Sequence, residues 1–175
     1  ERRPTVLVVG EIYVRTNGFA NDQVIARLEA RGLRVKLATC GAFIEYVDHV
    51  NRQENRRNGL GARISTAAQE RVRSVAHQVM ARELGGPDRV RVADTLAAAQ
   101  RYVRESLQGE AVLTVGAALQ QWRAGTIDAV VNFGPLECMP SKIAEAQFFH
   151  IAQQEGLPTL TLALNGDPLN LETLD

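Results

Sequence analysis

An α/β three-layer sandwich on a short parallel sheet is the fold this sequence predicts, and three observations lead there. Thr5 to Val9 is an apolar run rich in valine with no polar alternation, as expected of a strand buried on both faces. An amphipathic helix and a second short strand follow it. The same strand–helix–strand rhythm returns between Ile127 and Leu164. Strands joined through a helix pair in parallel, because only a crossover of that length lets the second strand run the same way.

Taken in order, the first strand opens into a polar stretch, GEIYVRTNGF, which reads as a loop. Asn21 and Asp22 stand where a helix N-cap belongs, and Val24, Ile25 and Leu28 give the next helix its apolar stripe. Gly32 ends that helix, and Leu33 to Ala38 is the second strand. Phe43, Ile44, Val47 and Val50 predict a helix of about three turns. The segment NRQENRRNGLGAR then reads as an exposed loop or frayed helix end. Ile64 to Leu84 is helical again through Ala68, Val72, Val75, Val79 and Met80, until GGPD breaks it. Two further helices gather around Leu96, Ala99, Val103 and Leu107, and around Val112, Val115, Leu119 and Trp122. Ile127 to Phe133 is the third strand, Pro140 to Gln154 a helix, and Thr159 to Leu164 the fourth strand. That makes four strands and about six helices, with a long helical insertion between strands two and three. The expected sheet order is 2-1-3-4, a Rossmann- or flavodoxin-like arrangement whose winding reverses between strands one and three.

At 175 residues the chain suits one sizeable core and is short for two, so residues 1–175 are expected to form a single domain. Twenty basic and twenty acidic side chains cancel. No global field therefore draws the chain to nucleic acid or an anionic membrane, and no apolar run is long enough to span a bilayer. Cys40 and Cys138 lie far apart without CxxC pairing. That argues against a disulfide scaffold or a self-contained zinc site and fits a reducing, cytoplasmic compartment. The chain opens on Glu1 without a leader and closes on NLETLD without a terminal signal. A domain cut from a larger multidomain protein is the expectation that follows.

In an open parallel sheet, ligands bind beyond the carboxyl ends of the strands, near the reversal of winding. Four loops meet that rule. They hold Gly10, Glu11, Tyr13, Arg15, Thr16 and Asn17; then Thr39 and Cys40; then NFGPLECMP, with Asn132, Gly134, Pro135 and Cys138; and last NGDP, with Asn165 and Asp167. Cys138 falls just ahead of a helix, and Pro140 suits that helix's first turn. A thiol placed there feels the positive end of the dipole, which suits metal ligation or nucleophilic attack. The plainer reading is a small apolar residue filling the turn. GEIYVRTN would hold an anion or simply build a turn.

No GxGxxG or GxxxxGK string occurs, so autonomous nucleotide binding has no support. His49, His77 and His150 lie on separate helices without ligand spacing, and no serine–histidine–acid set is arguable. Arg52, Arg56 and Arg57 are diluted by Glu54 and asparagines, as in a solvated loop. Tyr102 and Trp122 read as core or interface.

Three strings carry a resemblance: VLVVGEIYVRTNGFANDQVIARLEARG, EAVLTVGAALQQWRAGTIDAVVNFGPLECMPSKIAEAQ and LPTLTLALNGDP. Together they resemble the dehydratase-like domain of the CoA-substrate-specific enzyme activase family. That group is related to the subunits of 2-hydroxyacyl-CoA dehydratases and benzoyl-CoA reductase, and includes activators of the 2-hydroxyglutaryl-CoA dehydratase type. The similarity covers both ends of the chain and is weakest between about residues 51 and 91.

The resemblance implies redox chemistry. In those dehydratases two half-domains hold a 4Fe-4S cluster, one ligand coming from a Gly-Pro…Cys-Pro-like turn after a strand, and Cys138 matches that position. Activase ATPase domains on the same chain, and a second cysteine-bearing half-domain, are the implied partners. Cys40 matches no ligand position, and one thiolate cannot hold a cubane. The chain by itself is therefore expected to be inactive and without a cluster. Two further readings remain: a docking or homodimerisation module, and a CoA-type ligand held by Arg15 and the strand-four loop.

Overall fold

The computed structural model describes residues 2–54, 60–84, 91–107 and 109–169. Four strands, β1 (Thr5–Gly10), β2 (Arg34–Leu37), β3 (Ala129–Pro135) and β4 (Thr159–Leu164), form one sheet in the order β2-β1-β3-β4. Every neighbouring pair is parallel, with Val6 opposite both Val35 and Ala129, and Val131 opposite Leu160. Seven α-helices are described: α1 (Ile12–Thr16), α2 (Val24–Ala30), α3 (Gly41–Glu54), α4 (Leu60–Leu84), α5 (Val92–Ala99), α6 (Glu110–Arg123) and α7 (Met139–Glu155). This is the expected Rossmann-like sandwich, with α3 to α6 as the insertion between β2 and β3.

The strand period of two sorts the core into two layers. Leu7, Val9 and Val130 face one side of the sheet, where Tyr46 of α3 packs with Leu96, Val112, Val115, Leu119, Phe148 and Ile151. Val6, Val8, Val131, Phe133 and Leu162 face the other side and meet Val14, Val24 and Leu28 of α1 and α2. All six residues of β1 are buried, as an unalternated apolar run requires.

Several boundaries differ from the sequence reading, each for a local reason. GEIYVRTNGF is not all loop: the Glu11 carboxylate accepts from the backbone N–H of Tyr13 and Val14 and starts α1. Asn21 and Asp22 do not cap α2. The N-cap is Gln23, in the left-handed region with Asp22, and no side chain caps it. Buried Asn21 instead donates to the Val14 carbonyl, while Asp22 pairs with Arg27 at 2.9 Å. The strand around Val130 is shifted toward Pro135, because Ile127 packs in the core without joining the ladder.

The helix drawn through Leu107 ends at Ala99, and a separate 3₁₀ turn, Glu105–Leu107, leaves Leu107 exposed. Residues 51–54 extend α3 and residues 60–63 begin α4, so both ends of the proposed loop are helical. Residues 55–59, with Arg56 and Arg57, lie outside the described residues, as do GGPD and the side chains of Arg52 and His77. Among the described residues no helix is long and apolar enough to cross a membrane.

Candidate functional site

The carboxyl ends of β1 and β3 meet at a close approach that glycine makes possible. Gly10 has φ +99°, and a Cβ there would stand 1.9 Å from the Phe133 carbonyl oxygen. The next residue, Glu11, donates its backbone N–H to that same oxygen at 2.9 Å. A Cβ on Gly134 would stand 2.0 Å from Ser141 Oγ, so this glycine lets α7 settle against β3. The two loops are thereby stitched together at the reversal of winding.

Arg15 is the unusual residue of this corner. It is only 6% exposed. Its Nη1 donates to the Gly10 carbonyl at 2.8 Å, and its Nη2 points at Cys40 Sγ, 3.9 Å away. Its Nε is buried without a partner. Glu110, at the start of α6, belongs to the same neighbourhood. Burial raises its carboxyl above the ordinary range, the Glu11 charge raises it further, and Arg15 pulls it back. Cys40 is exposed on the loop after β2.

Cys138 occupies the N-cap of α7 with Pro140 in the first turn, its side chain making no capping hydrogen bond. Its backbone N–H donates to the Pro135 carbonyl at 3.1 Å, and its carbonyl accepts from Lys142 at 3.0 Å. The thiol is half-buried, and Leu136 and Met139 beside it are exposed. Beneath it, Asn132 is fully buried; its Nδ2 lies 3.5 Å from the Ser141 carbonyl, Ser141 Oγ and Thr161 Oγ1, and its Oδ1 has no partner.

The remaining candidates build turns. Asn17 Oδ1 accepts from the backbone of Phe19 and Ala20. Asn165 and Asp167 bond each other reciprocally after β4. Tyr13 is exposed, and Pro135 is exposed at the end of β3. Arg15 thus faces the β2 side of the corner, whereas Asn165 and Asp167 sit at the far edge of the sheet. The strand-four tail does reach back: Leu169 donates its N–H to Asp22 Oδ2 at 2.9 Å.

Sequence reasoning missed Glu110 and the contact between Arg15 and Cys40. Glu110 is some hundred positions from Glu11 in the chain, and the only local signal was an acidic side chain right after Gly109. His150 is an exposed histidine at an edge-on 5.8 Å from Phe149. His49 bonds Glu105 and Gln53. Tyr102 and Trp122 pack as expected, against the Glu155 carboxylate and carbonyl.

Among the described residues no three histidine, cysteine or acidic side chains converge as a metal site. Compared with known protein families, curated proteins and solved structures, the chain finds no match.

Proposed function

We propose that this chain is the dehydratase-like module of a cytoplasmic CoA enzyme activase, in which Cys138 gives one thiolate to an iron–sulfur cluster. The observation that carries this reading is the placement of Cys138. It stands at the carboxyl edge of the sheet, at the N-cap of a seventeen-residue helix, with a sulfur that caps nothing. A helix N-terminus suits an anionic sulfur ligand. The residues present fit one ligand of such a cluster: Cys40 lies on the loop after β2, two strands over from β3. The other ligands would come from a second half-domain, and the ATPase domains of the same polypeptide would be its further partners. A cluster bound there would supply one-electron transfer at low potential. The chain's own part is to hold the thiolate at the head of α7, with Gly134 and Ser141 fixing that helix against β3.

The test is iron and acid-labile sulfide in the complete polypeptide that carries this chain, prepared without oxygen, beside its Cys138→Ala variant. Loss of the cluster in the variant is expected. Equal loading would reduce Cys138 to a turn residue.

A second reading, a docking or dimerisation module without catalysis, is favoured by α4. Ile64, Val72, Val75 and Val79 fall on one stripe of that helix, and all four are exposed. Light scattering on the chain, and a pulldown with the activase ATPase domain, would decide it. A monomer that ignores the ATPase domain would rule it out.

A further inference from the structure

We propose that Cys40 is a thiol–disulfide exchange site, with the buried guanidinium of Arg15 set against its sulfur. This needs nothing from the reading of Cys138, because it rests on Cys40, Arg15 and the start of α3. Cys40 is exposed and immediately precedes α3, a fourteen-residue helix with no acidic side chain in its first turn. The sulfur therefore lies at the positive end of that helix. Arg15 reaches it from β1's side, with Nη2 3.9 Å from Sγ.

The guanidinium is held in place. Arg15 is 6% exposed, and Nη1 is fixed to the Gly10 carbonyl. Among the described residues Arg15 forms no ion pair, and its Nε has no partner. A buried guanidinium needs polar partners, and the Cys40 sulfur is the one its Nη2 meets. Glu110 is close enough to feel the Arg15 charge, but no ion pair among the described residues joins the two. An exposed thiol beside a fixed cation at a helix start is the setting in which cysteines exchange.

The partner is a low-molecular-weight disulfide of the glutathione class. The Cys40 thiol gives its proton to water, and its sulfur attacks one sulfur of the reagent. A new S–S bond forms as the reagent's bond breaks, and the other half departs as a thiolate. Cys40 is oxidised to a mixed disulfide and the departing half is reduced. A thiol such as glutathione reverses the step.

The experiment uses the chain in a Cys138→Ser background, so that Cys40 is the one thiol. Its reaction with dithiodipyridine, an uncharged disulfide, is followed by thiopyridone release near neutral pH. Arg15→Met is expected to slow the reaction about fivefold or more, and Arg15→Lys to restore most of the rate. Glutathione disulfide should add one glutathione by mass, and none to a Cys40→Ser chain. Should Arg15→Met not fold, the native chain is compared with the same chain unfolded in urea. Cys40 is expected to react about fivefold faster when native. Equal rates with Met and Arg at position 15, or a native thiol slower than the unfolded one, overturn the proposal.

Discussion

Gly10 joins the carboxyl ends of β1 and β3 through backbone alone. Any side chain there collides with the Phe133 carbonyl and is strained at φ +99°. Gly10→Ala is expected to cost about 3 kcal/mol or more, read as a lower urea midpoint with unchanged slope. Glu110 gives a prediction of opposite sign. Burial and Glu11 raise its carboxyl above the unfolded value, so its folded state is favoured at low pH and loses ground as pH rises through the raised value. Glu110→Gln should therefore raise the urea midpoint near pH 7, with the gain vanishing below about pH 4. A variant that is less stable at neutral pH would show that Glu110 makes a favourable contact in its charged form. Asn132 is a comparable case, since its buried Oδ1 is unsatisfied beneath the Cys138 turn.

Among the elements, α6 and α7 are locked at the end of the sheet away from the site. Arg123 grips Glu155 through two hydrogen bonds, at 3.0 Å and 2.5 Å. Tyr102 donates to the same carboxylate at 2.9 Å, and Trp122 donates to the Glu155 carbonyl at 3.2 Å. Arg123, foremost through those hydrogen bonds, holds the Glu155 carboxyl below the ordinary range. Its stabilising effect is thus present above the unfolded value and is lost as pH falls through the lowered one. Glu155→Gln is expected to cost about 1–2 kcal/mol near pH 7, a range already reduced for the half-exposed arginine. As pH falls through the lowered value, the parent and variant should converge in urea unfolding. At the other end, α1 shows how one carboxylate starts a helix too short for periodicity to reveal.

For the whole molecule the telling feature is unequal cover. One face of the sheet carries α3, α5, α6 and α7, and the other carries α1 and α2. The apolar stripe of α4 enters neither core, and Val72 is 69% exposed. Replacing Val72 and Val79 with Lys should leave the thermal midpoint within about 2 °C of the parent, since neither side chain supports a core. The same change should abolish any self-association seen by light scattering, if α4 is the docking face. A large drop in the midpoint would instead place the stripe in the folded core.

The fold was legible because its signals are local. Thr5 to Val9 is apolar throughout, as a central strand must be, and the crossover lengths dictate parallel pairing. The four loops chosen for the site follow from the strand order, and parallel pairing puts each of them after the carboxyl end of its strand. Boundaries were less legible where side chains choose between partners: Asn21 bonds the Val14 carbonyl instead of capping, and Ile127 takes a core position outside the ladder. The sequence by itself thus determined the layers, the sheet order and the cysteine at the head of α7. Only the tertiary structure decided that Arg15 is buried against Gly10 and Cys40, with Glu110 close enough to feel its charge. The physical reason is that strand and helix periods are written over neighbouring residues, whereas a charge's partners are chosen by packing across the whole chain.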